Sequence, residues 1–197
     1  MHPDIDKWNA RYRNADSGTE PQACRLLQEF AFLLPKRGTA LDLACGRGGN
    51  ALLLAKAGLT TCAWDISDVA LSQLATVAQH HNLAITTELR NVESQPPGAN
   101  SFDCIVVSYF LDRHLCRAIS NALKPGGILF YQTFSVNKRS DKGPSNERFL
   151  LKNNELLTLF GDLEVRFYHE LAALGNLAKG DRDTVQLIAQ KNAIPSS

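Results

Sequence analysis

The chain has 197 residues, of which 44% are hydrophobic, and a formal net charge of +1. This length favours one domain with a sizeable core, and the near-zero charge gives no general attraction to nucleic acid or to a membrane surface. The five cysteines include no C-x-x-C pair, so we expect reduced thiols in a cytoplasmic protein. The polar amino terminus is unlike a secretory signal, and no apolar run approaches the length of a membrane span.

Apolar periodicity and turn residues predict two helices, over residues 5–14 and about 20–34, followed by alternating strands and helices. The predicted strands are 39–44, 59–64, 84–89, 102–107, 128–134, 163–170 and 183–190. The predicted helices between them are 50–57, 67–82, 112–123 and 154–160. This order predicts an α/β fold with a Rossmann-like, doubly wound, mostly parallel seven-stranded sheet that ends in an antiparallel strand pair.

One connection departs from the alternation. Residues 91–101 contain Pro96-Pro97-Gly98, which predicts an irregular loop where parallel strands usually have a helix.

A glycine-rich turn, Leu41-Asp-Leu-Ala-Cys-Gly-Arg-Gly-Gly49, joins the first predicted strand to the helix that follows it. Small residues let the backbone approach a ligand closely, and a helix N-terminus offers N–H groups to an anion. Ligands of open α/β sheets bind beyond the carboxyl ends of the strands. We therefore expect an adenosine-cofactor pocket at this turn, where Asp65, at the end of the second strand, accepts hydrogen bonds from ribose hydroxyls. Asp65 as a helix cap is the alternative, but Ser67 is placed to fill that role.

The turn does not by itself choose a cofactor. Ala44-x-Gly46-x-x-Gly49 is a degraded dinucleotide fingerprint, so a nicotinamide-dependent oxidoreductase is the alternative enzyme. Two N-terminal helices, the Lys124-Pro-Gly-Gly127 turn and the terminal strand pair favour another class. The five histidines form no H-E-x-x-H pair, and no Cys/His ligand spacing is present, so we expect no metal site.

The chain resembles class I S-adenosylmethionine-dependent methyltransferases over nearly its whole length. Four segments carry the likeness in the family's order: Leu41–Gly48, Trp64–Ser67, Phe102–Ser108 and Leu123–Gly127. Three further segments are similar to small bacterial methyltransferases of the tellurite-resistance type: Trp8–Tyr12, Asp42–Gly46 and Asn146–Leu150. The resemblance implies one methyltransferase domain, made of an N-terminal helical cap (1–36), a cofactor-binding core (37–134) and a lid loop with the terminal strands (135–197).

The resemblance implies S-adenosylmethionine as cofactor and S-adenosylhomocysteine as product. The methyl group would pass by in-line displacement to a thiol, a metalloid oxyanion such as tellurite or selenite, or another small metabolite. The residues expected to contact the cofactor are Trp8, Tyr12, Asp42, Ala44, Cys45, Gly46, Gly48, Asn50, Asp65, Ile66, Asn91, Val92, Ser108 and Tyr109.

Two of these residues depart from the family pattern. Ala44 stands where the family has glycine, which costs little unless the position needs a positive φ. Asn91 stands where an aspartate often contacts adenine, and a plain turn-forming role is the alternative. A non-catalytic S-adenosylmethionine-binding module is a further alternative to an enzyme.

No general base is evident, and the candidates for catalytic residues are Tyr109, His114 and Arg148. A thiolate or oxyanion acceptor needs no base. Arg113, Arg139 and Arg148 are candidates to neutralise an anionic acceptor. The polar segment 135–147 is a candidate lid.

The partners expected from the sequence are few. Ser108-Tyr-Phe110 follows the fourth strand in place of the Asn/Asp-Pro-Pro-aromatic signature of base methylation, which disfavours nucleic acid as substrate. A small-molecule acceptor is therefore expected, and both a monomer and a homodimer stay open.

Overall fold

The computed structural model describes residues 3–14 and 19–193. Its helices are α1 (Pro3–Arg13), α2 (Arg25–Glu29), α3 (Gly49–Lys56), α4 (Asp68–His80), α5 (Cys116–Ala122) and α6 (Glu155–Leu159), with 3-10 turns at Ala31–Leu33 and Glu147–Phe149. Its strands are β1 (Thr39–Leu43), β2 (Thr60–Asp65), β3 (Ile85–Leu89), β4 (Phe102–Ser108), β5 (Leu123–Phe134), β6 (Glu164–His169) and β7 (Thr184–Gln190). Residues 1–2, 15–18 and 194–197, which belong to the predicted cap and terminal segments, lie outside the described part.

The strands form one seven-stranded sheet in the order β3-β2-β1-β4-β5-β7-β6. Strands β1 to β5 are parallel, and β7 runs antiparallel between β5 and β6. The fold class predicted from the sequence, including the antiparallel end, is confirmed. Because β1 leads to β2 on one side and lies beside β4 on the other, the strand order reverses between β1 and β4. A crevice opens at the carboxyl ends of strands at such a reversal.

Both faces of the sheet are apolar. Alternate residues of β1 point to opposite faces, so that Leu41 and Leu43 join one core while Ala40 joins the other. The four residues 104–107 of β4 have no exposed surface, as a central parallel strand requires. Of the described helices, none has the length and apolarity to cross a membrane.

Two predicted helices begin later in the structure, one because of a long-range contact and the other because of a local turn. The segment before α2 is extended against the start of α3, where the Cys24 N–H donates to Asn50 Oδ1 at 2.8 Å. The carbonyl oxygen of Gln22 passes so close to Gly49 that a Cβ there would lie 2.1 Å from it. Helix α5 begins only at Cys116, since Asp112 Oδ1 accepts from the His114 N–H in a turn that precedes it.

Candidate active site

The turn after β1 has left-handed backbone at alternate residues. The φ angles are 55° at Ala44, 52° at Gly46 and 76° at Gly48. A Cβ on Gly46 would lie 2.7 Å from the Tyr12 hydroxyl oxygen, and one on Gly48 would lie 2.4 Å from a methyl group of Leu74. The turn therefore needs its glycines for both conformation and space. Ala44 does occupy a position of positive φ, so it carries a strain of about 1 kcal/mol that glycine would avoid.

The backbone N–H groups of this turn are largely used inside the protein. Cys45 donates to the Trp64 carbonyl at 2.9 Å, Gly46 donates to Asp65 Oδ2 at 2.7 Å, and Gly48 donates to the Cys45 carbonyl at 2.9 Å. These three N–H groups are therefore not free to bind an anion. In the first turn of α3 the Ala51 N–H donates to Asp42 Oδ2 at 3.0 Å, so the N–H groups of Gly49 and Asn50 are left for that role.

Asp65 joins the end of β2 to the glycine-rich turn. Besides the bond from Gly46, its Oδ1 accepts from the Ser67 N–H at 2.9 Å. Burial raises the pKa of this carboxyl above its ordinary value. The expected cap of α4 is confirmed as Ser67, whose hydroxyl accepts from the Ala70 N–H at 3.1 Å. Asp65 thus has a structural role that the sequence did not show, and its contact with a ribose stays a proposal.

Asp42 is fully buried and holds the start of α3 to β1. One carboxylate oxygen accepts from Asn50 Nδ2 at 3.2 Å and the other from the Ala51 N–H at 3.0 Å. Burial raises the pKa of Asp42 to about 7. Asn50 extends the network, because its Nδ2 also donates to Ser108 Oγ at 2.8 Å and its Oδ1 accepts from Cys24. Asp42 therefore ties down the turn from a fully buried position, and its contact with the cofactor stays a proposal.

Helix α1 lies over the turn. The rings of Trp8 and Tyr12 stack at a centroid distance of 5.8 Å, and burial, followed by the charge of Asp65, raises the pKa of the Tyr12 phenol above its usual range. Asn9, which the sequence analysis missed, attaches the helix to the N-terminus of α4. Its Nδ2 donates to Asp68 Oδ1 at 2.6 Å, and its Oδ1 accepts from the Ser67 hydroxyl at 2.5 Å. No sequence signal marks Asn9, because its burial and its hydrogen-bond partners are set by the fold.

Tyr109 stands at the carboxyl end of β4, beside the crevice. Its φ is 57°, its side chain is about half exposed, and its ring lies 5.2 Å from that of Phe134. Its hydroxyl oxygen accepts a hydrogen bond from Gln132 Nε2 at 3.0 Å. Burial raises the pKa of the Tyr109 phenol. Gln132, buried in β5, was not among the predicted site residues.

Three more of the residues expected to contact the cofactor, Asn91, Val92 and Ile66, differ in their surroundings. Asn91 Oδ1 accepts from the Glu93 N–H at 3.0 Å, which is the turn-forming role left open for this residue. Val92 is buried in the core beside Trp64, and Ile66 is partly buried after β2. Their contacts with a cofactor stay proposals.

The structure corrects one of the arginine candidates. The Arg113 guanidinium donates to Glu155 Oε1 at 2.7 Å, to the Arg148 carbonyl at 2.6 Å and to the Leu150 carbonyl at 2.9 Å. It is occupied in fastening the segment before α6, so it is not available to an anionic acceptor. Arg148 and Arg139 have exposed side chains.

His114 is also exposed, and it lines a cleft of about 100 Å³ with residues of α5 and the loop after β3. None of the residues expected to contact the cofactor lines this cleft. The geometry therefore gives no support to His114 as a base beside Tyr109.

The polar segment 135–147 is attached to the residues that precede β7. Asp183 Oδ1 accepts from the N–H groups of Arg139 and Ser140, at 2.7 Å and 3.0 Å, and its Oδ2 accepts from the Ser140 hydroxyl at 2.5 Å. The role of this segment as a lid stays a prediction.

Comparisons with known proteins agree with this geometry. Residues 40–127 match a family model described as a methyltransferase domain. No curated protein matches the chain. TehB from Haemophilus influenzae is 23% identical at a TM-score of 0.70, covering 95% of this chain and 67% of that one.

Two further solved structures have the same fold. An S-adenosylmethionine-dependent methyltransferase from Methanosarcina mazei is 20% identical at a TM-score of 0.65, covering 88% of this chain and all of that one. The [4+2]-cyclase SpnF is 19% identical at a TM-score of 0.73, covering 97% of this chain and 95% of that one. The chain is similar to both in fold.

Residues 40–127 are therefore similar to a methyltransferase domain, and the three solved structures share the fold of this chain. This similarity agrees with the family expected from the sequence.

Proposed function

We propose that the protein transfers the methyl group of S-adenosylmethionine to a small acceptor that enters at the carboxyl edge of the sheet, beside Tyr109. The observation that carries this proposal is the glycine-rich turn at the strand-order reversal, closed on one side by buried Asp65 and covered by Tyr12. Its left-handed residues bring backbone, rather than side chains, to the crevice. These features fit an adenosine cofactor.

Each element of the crevice has a proposed task. The N-terminus of α3 attracts the carboxylate of the methionine part, and Asp65 accepts from the ribose hydroxyls. Trp8 and Tyr12 cover the bound cofactor, while Asn91, Val92 and Ile66 surround the adenine. Asp42 and Asn50 keep this arrangement rigid through their buried hydrogen bonds. When bound, the cofactor supplies an activated sulfonium methyl group, so the protein has mainly to position the acceptor and exclude water.

The acceptor we propose is a nucleophile that needs no general base: a metalloid oxyanion such as tellurite or selenite, or a small thiolate. Asp42 has a pKa of about 7, which would suit a base, but it has no exposed surface. His114 opens onto another cleft. The choice of metalloid acceptors is also supported by the resemblance of the sequence to tellurite-resistance-type methyltransferases.

In the proposed displacement, a lone pair of the acceptor forms a bond to the methyl carbon while the carbon–sulfur bond breaks. The electron pair of that bond stays on sulfur, which changes from a sulfonium to a neutral thioether. No proton has to move. A group that only aligns the acceptor and keeps water away is sufficient for such a reaction.

A coupled assay of S-adenosylhomocysteine release tests the proposal, with tellurite, selenite and 2-mercaptoethanol as separate acceptors. We expect release that depends on one of these acceptors and stops when it is omitted. Tight binding of S-adenosylhomocysteine without turnover would favour a binding module instead. Binding of a nicotinamide dinucleotide in place of S-adenosylmethionine would favour the oxidoreductase. A variant in which Asp65 is replaced by Ala controls for contaminating activity, since it should lose turnover.

A further inference from the structure

Gln132 is a buried amide that bridges three parts of the fold at the acceptor side of the crevice. It lies in β5, has 1% of its surface exposed and is paired across the sheet with Ser108, the last residue of β4. Its Oε1 accepts from the Leu26 N–H in α2 at 3.0 Å, and its Nε2 donates to the Tyr109 hydroxyl at 3.0 Å. Both ends of the amide are therefore engaged.

The bond to α2 fixes which way the amide faces. A backbone N–H can only donate, so the group that meets Leu26 must be the carbonyl oxygen of the amide. The NH₂ end then points to Tyr109 and can only donate. The phenol oxygen of Tyr109 is consequently an acceptor from Gln132, and its own proton is left for another partner.

The surroundings of the phenol favour the crevice as the place for that partner. Tyr109 follows β4 directly, next to Ser108, and about half of its surface is exposed. Its ring is held by Phe134, and its backbone N–H donates to the Gln132 carbonyl at 2.8 Å. The side chain is thus fixed at both ends, while its hydroxyl group keeps one donor.

We propose that Gln132 is a positioning residue that commits the Tyr109 hydroxyl to donate a hydrogen bond to the methyl acceptor. This inference rests on the proposed methyl transfer. A donated hydrogen bond holds an oxyanion or thiolate at the mouth of the crevice without removing a proton from it. The hydrogen bond from Tyr109 stabilises a negatively charged acceptor most, because hydrogen bonds to charged groups are stronger than those between neutral groups.

Replacing Gln132 by Glu tests the direction of this bond. A carboxylate still accepts a hydrogen bond from the Leu26 N–H, but it would also accept one from the Tyr109 hydroxyl. That hydroxyl would then no longer donate to the methyl acceptor. With sodium selenite as acceptor, or tellurite if selenite is not methylated, we expect the turnover number to fall about tenfold while the affinity for S-adenosylmethionine changes less than about twofold. Tyr109→Phe should give a similar loss.

The double variant separates positioning from a general structural effect. If Gln132 acts through the Tyr109 hydroxyl, adding Gln132→Glu to Tyr109→Phe should lower turnover by less than about twofold further. The inference would be overturned if the losses of turnover in the two single variants multiplied in the double variant, or if the affinity for the cofactor fell in parallel with turnover. Gln132→Met, which has similar volume and no donor, serves if the Glu variant does not fold. Gln186→Met is the matched control, because Gln186 is the cross-strand neighbour of Gln132 and donates to Asp181 instead.

A second readout does not depend on turnover. Ultraviolet titration of tyrosinate, compared with Tyr109→Phe to assign the signal, should show ionisation of Tyr109 at higher pH in Gln132→Glu than in the wild type, because the amide donor favours the phenolate. The Cys24 thiol and the Asp181 carboxylate, which also face this phenol, are the same in both proteins. An unchanged titration would overturn the inference. A wild type that is inactive with every acceptor would instead refute the proposed function.

Discussion

The stability of this protein should fall as the pH rises from about 4 to about 7, and Asp42 should be the main cause. Burial raises the pKa of this carboxyl to about 7 in the folded protein, whereas an aspartate in an unfolded chain has a pKa of about 4. Between about pH 4 and pH 7 the folded protein therefore keeps a proton that the unfolded chain has released. The free energy of unfolding consequently decreases across this window and stays low above it.

The size of the effect follows from the same values. At about 1.4 kcal/mol for each unit by which the pKa is raised, the loss is about 4 kcal/mol at most. Asp42→Asn removes the titrating group, so its stability should vary less with pH. At pH 4.5 the free energy of unfolding of this variant should be lower than that of the wild type by about 1 kcal/mol, because an Asn side chain cannot accept hydrogen bonds from both Asn50 and Ala51. Some slope should persist, since burial also raises the pKa of Asp65.

Urea unfolding followed by circular dichroism, from pH 4.5 to pH 8.5, measures this dependence. Asp103→Asn is the matched control. Burial acts to raise the pKa of Asp103, but its hydrogen bonds from Lys124 and Thr39 outweigh burial and lower it. That variant should lose stability without a change of slope above pH 5. A wild-type stability that is constant or rises between pH 5 and pH 7.5, or an unchanged slope in Asp42→Asn, would show that the pKa of Asp42 is not raised in the folded protein.

Three further predictions concern the turn and the arginines. Asp65→Ala leaves two buried N–H groups without an acceptor, so chemical denaturation should show a free energy of unfolding lower by about 2–4 kcal/mol. Calorimetry should show weaker binding of S-adenosylmethionine. Unchanged stability and affinity would contradict this prediction. Gly46→Ala should cost at least about 1–2 kcal/mol by thermal denaturation because of its positive φ. Tyr12→Phe removes the hydroxyl that the added Cβ would meet, so it should restore only the part of the loss that exceeds this cost. Arg113→Ala should destabilise the protein by about 2–3 kcal/mol. Arg148→Ala should leave the stability unchanged and raise the KM for the acceptor. The reverse pattern would contradict the roles given to these two arginines.

The sheet was predictable from the sequence because its signals are local. The continuous apolar run of β4 and the glycine-rich turn after β1 predict a buried parallel strand and a strand–turn–helix unit. The end of the sheet was predictable because the chain lacks a helix between its last two strands. The insertion of β7 beside β5 depends on the packing of the whole sheet, which no local pattern encodes.

The helix before β1 was predicted too long for a related reason. Residues 20–24 have acceptable helical composition, but Asn50 offers an acceptor to Cys24 that a helix would leave unused. Contacts between segments distant in sequence outweigh local propensity here.

The candidate site was predictable in its position and less so in the tasks of its residues. Strand ends place Asp42, Asp65 and Tyr109 at one edge of the sheet. The sequence does not show that Asp42 is fully buried, or that the guanidinium of Arg113 is taken up by Glu155 and two carbonyls. Asn9 and Gln132 were missed because a buried amide is recognised by its partners, which the fold supplies.

Calorimetric titration of S-adenosylmethionine into the wild-type protein tests whether the turn between β1 and α3 binds the cofactor. We expect saturable binding of one cofactor for each chain, competition by S-adenosylhomocysteine, and a clear loss of affinity in Asp65→Ala. An absence of binding, or binding of equal strength in the variant, would contradict the assignment of the cofactor to the turn between β1 and α3.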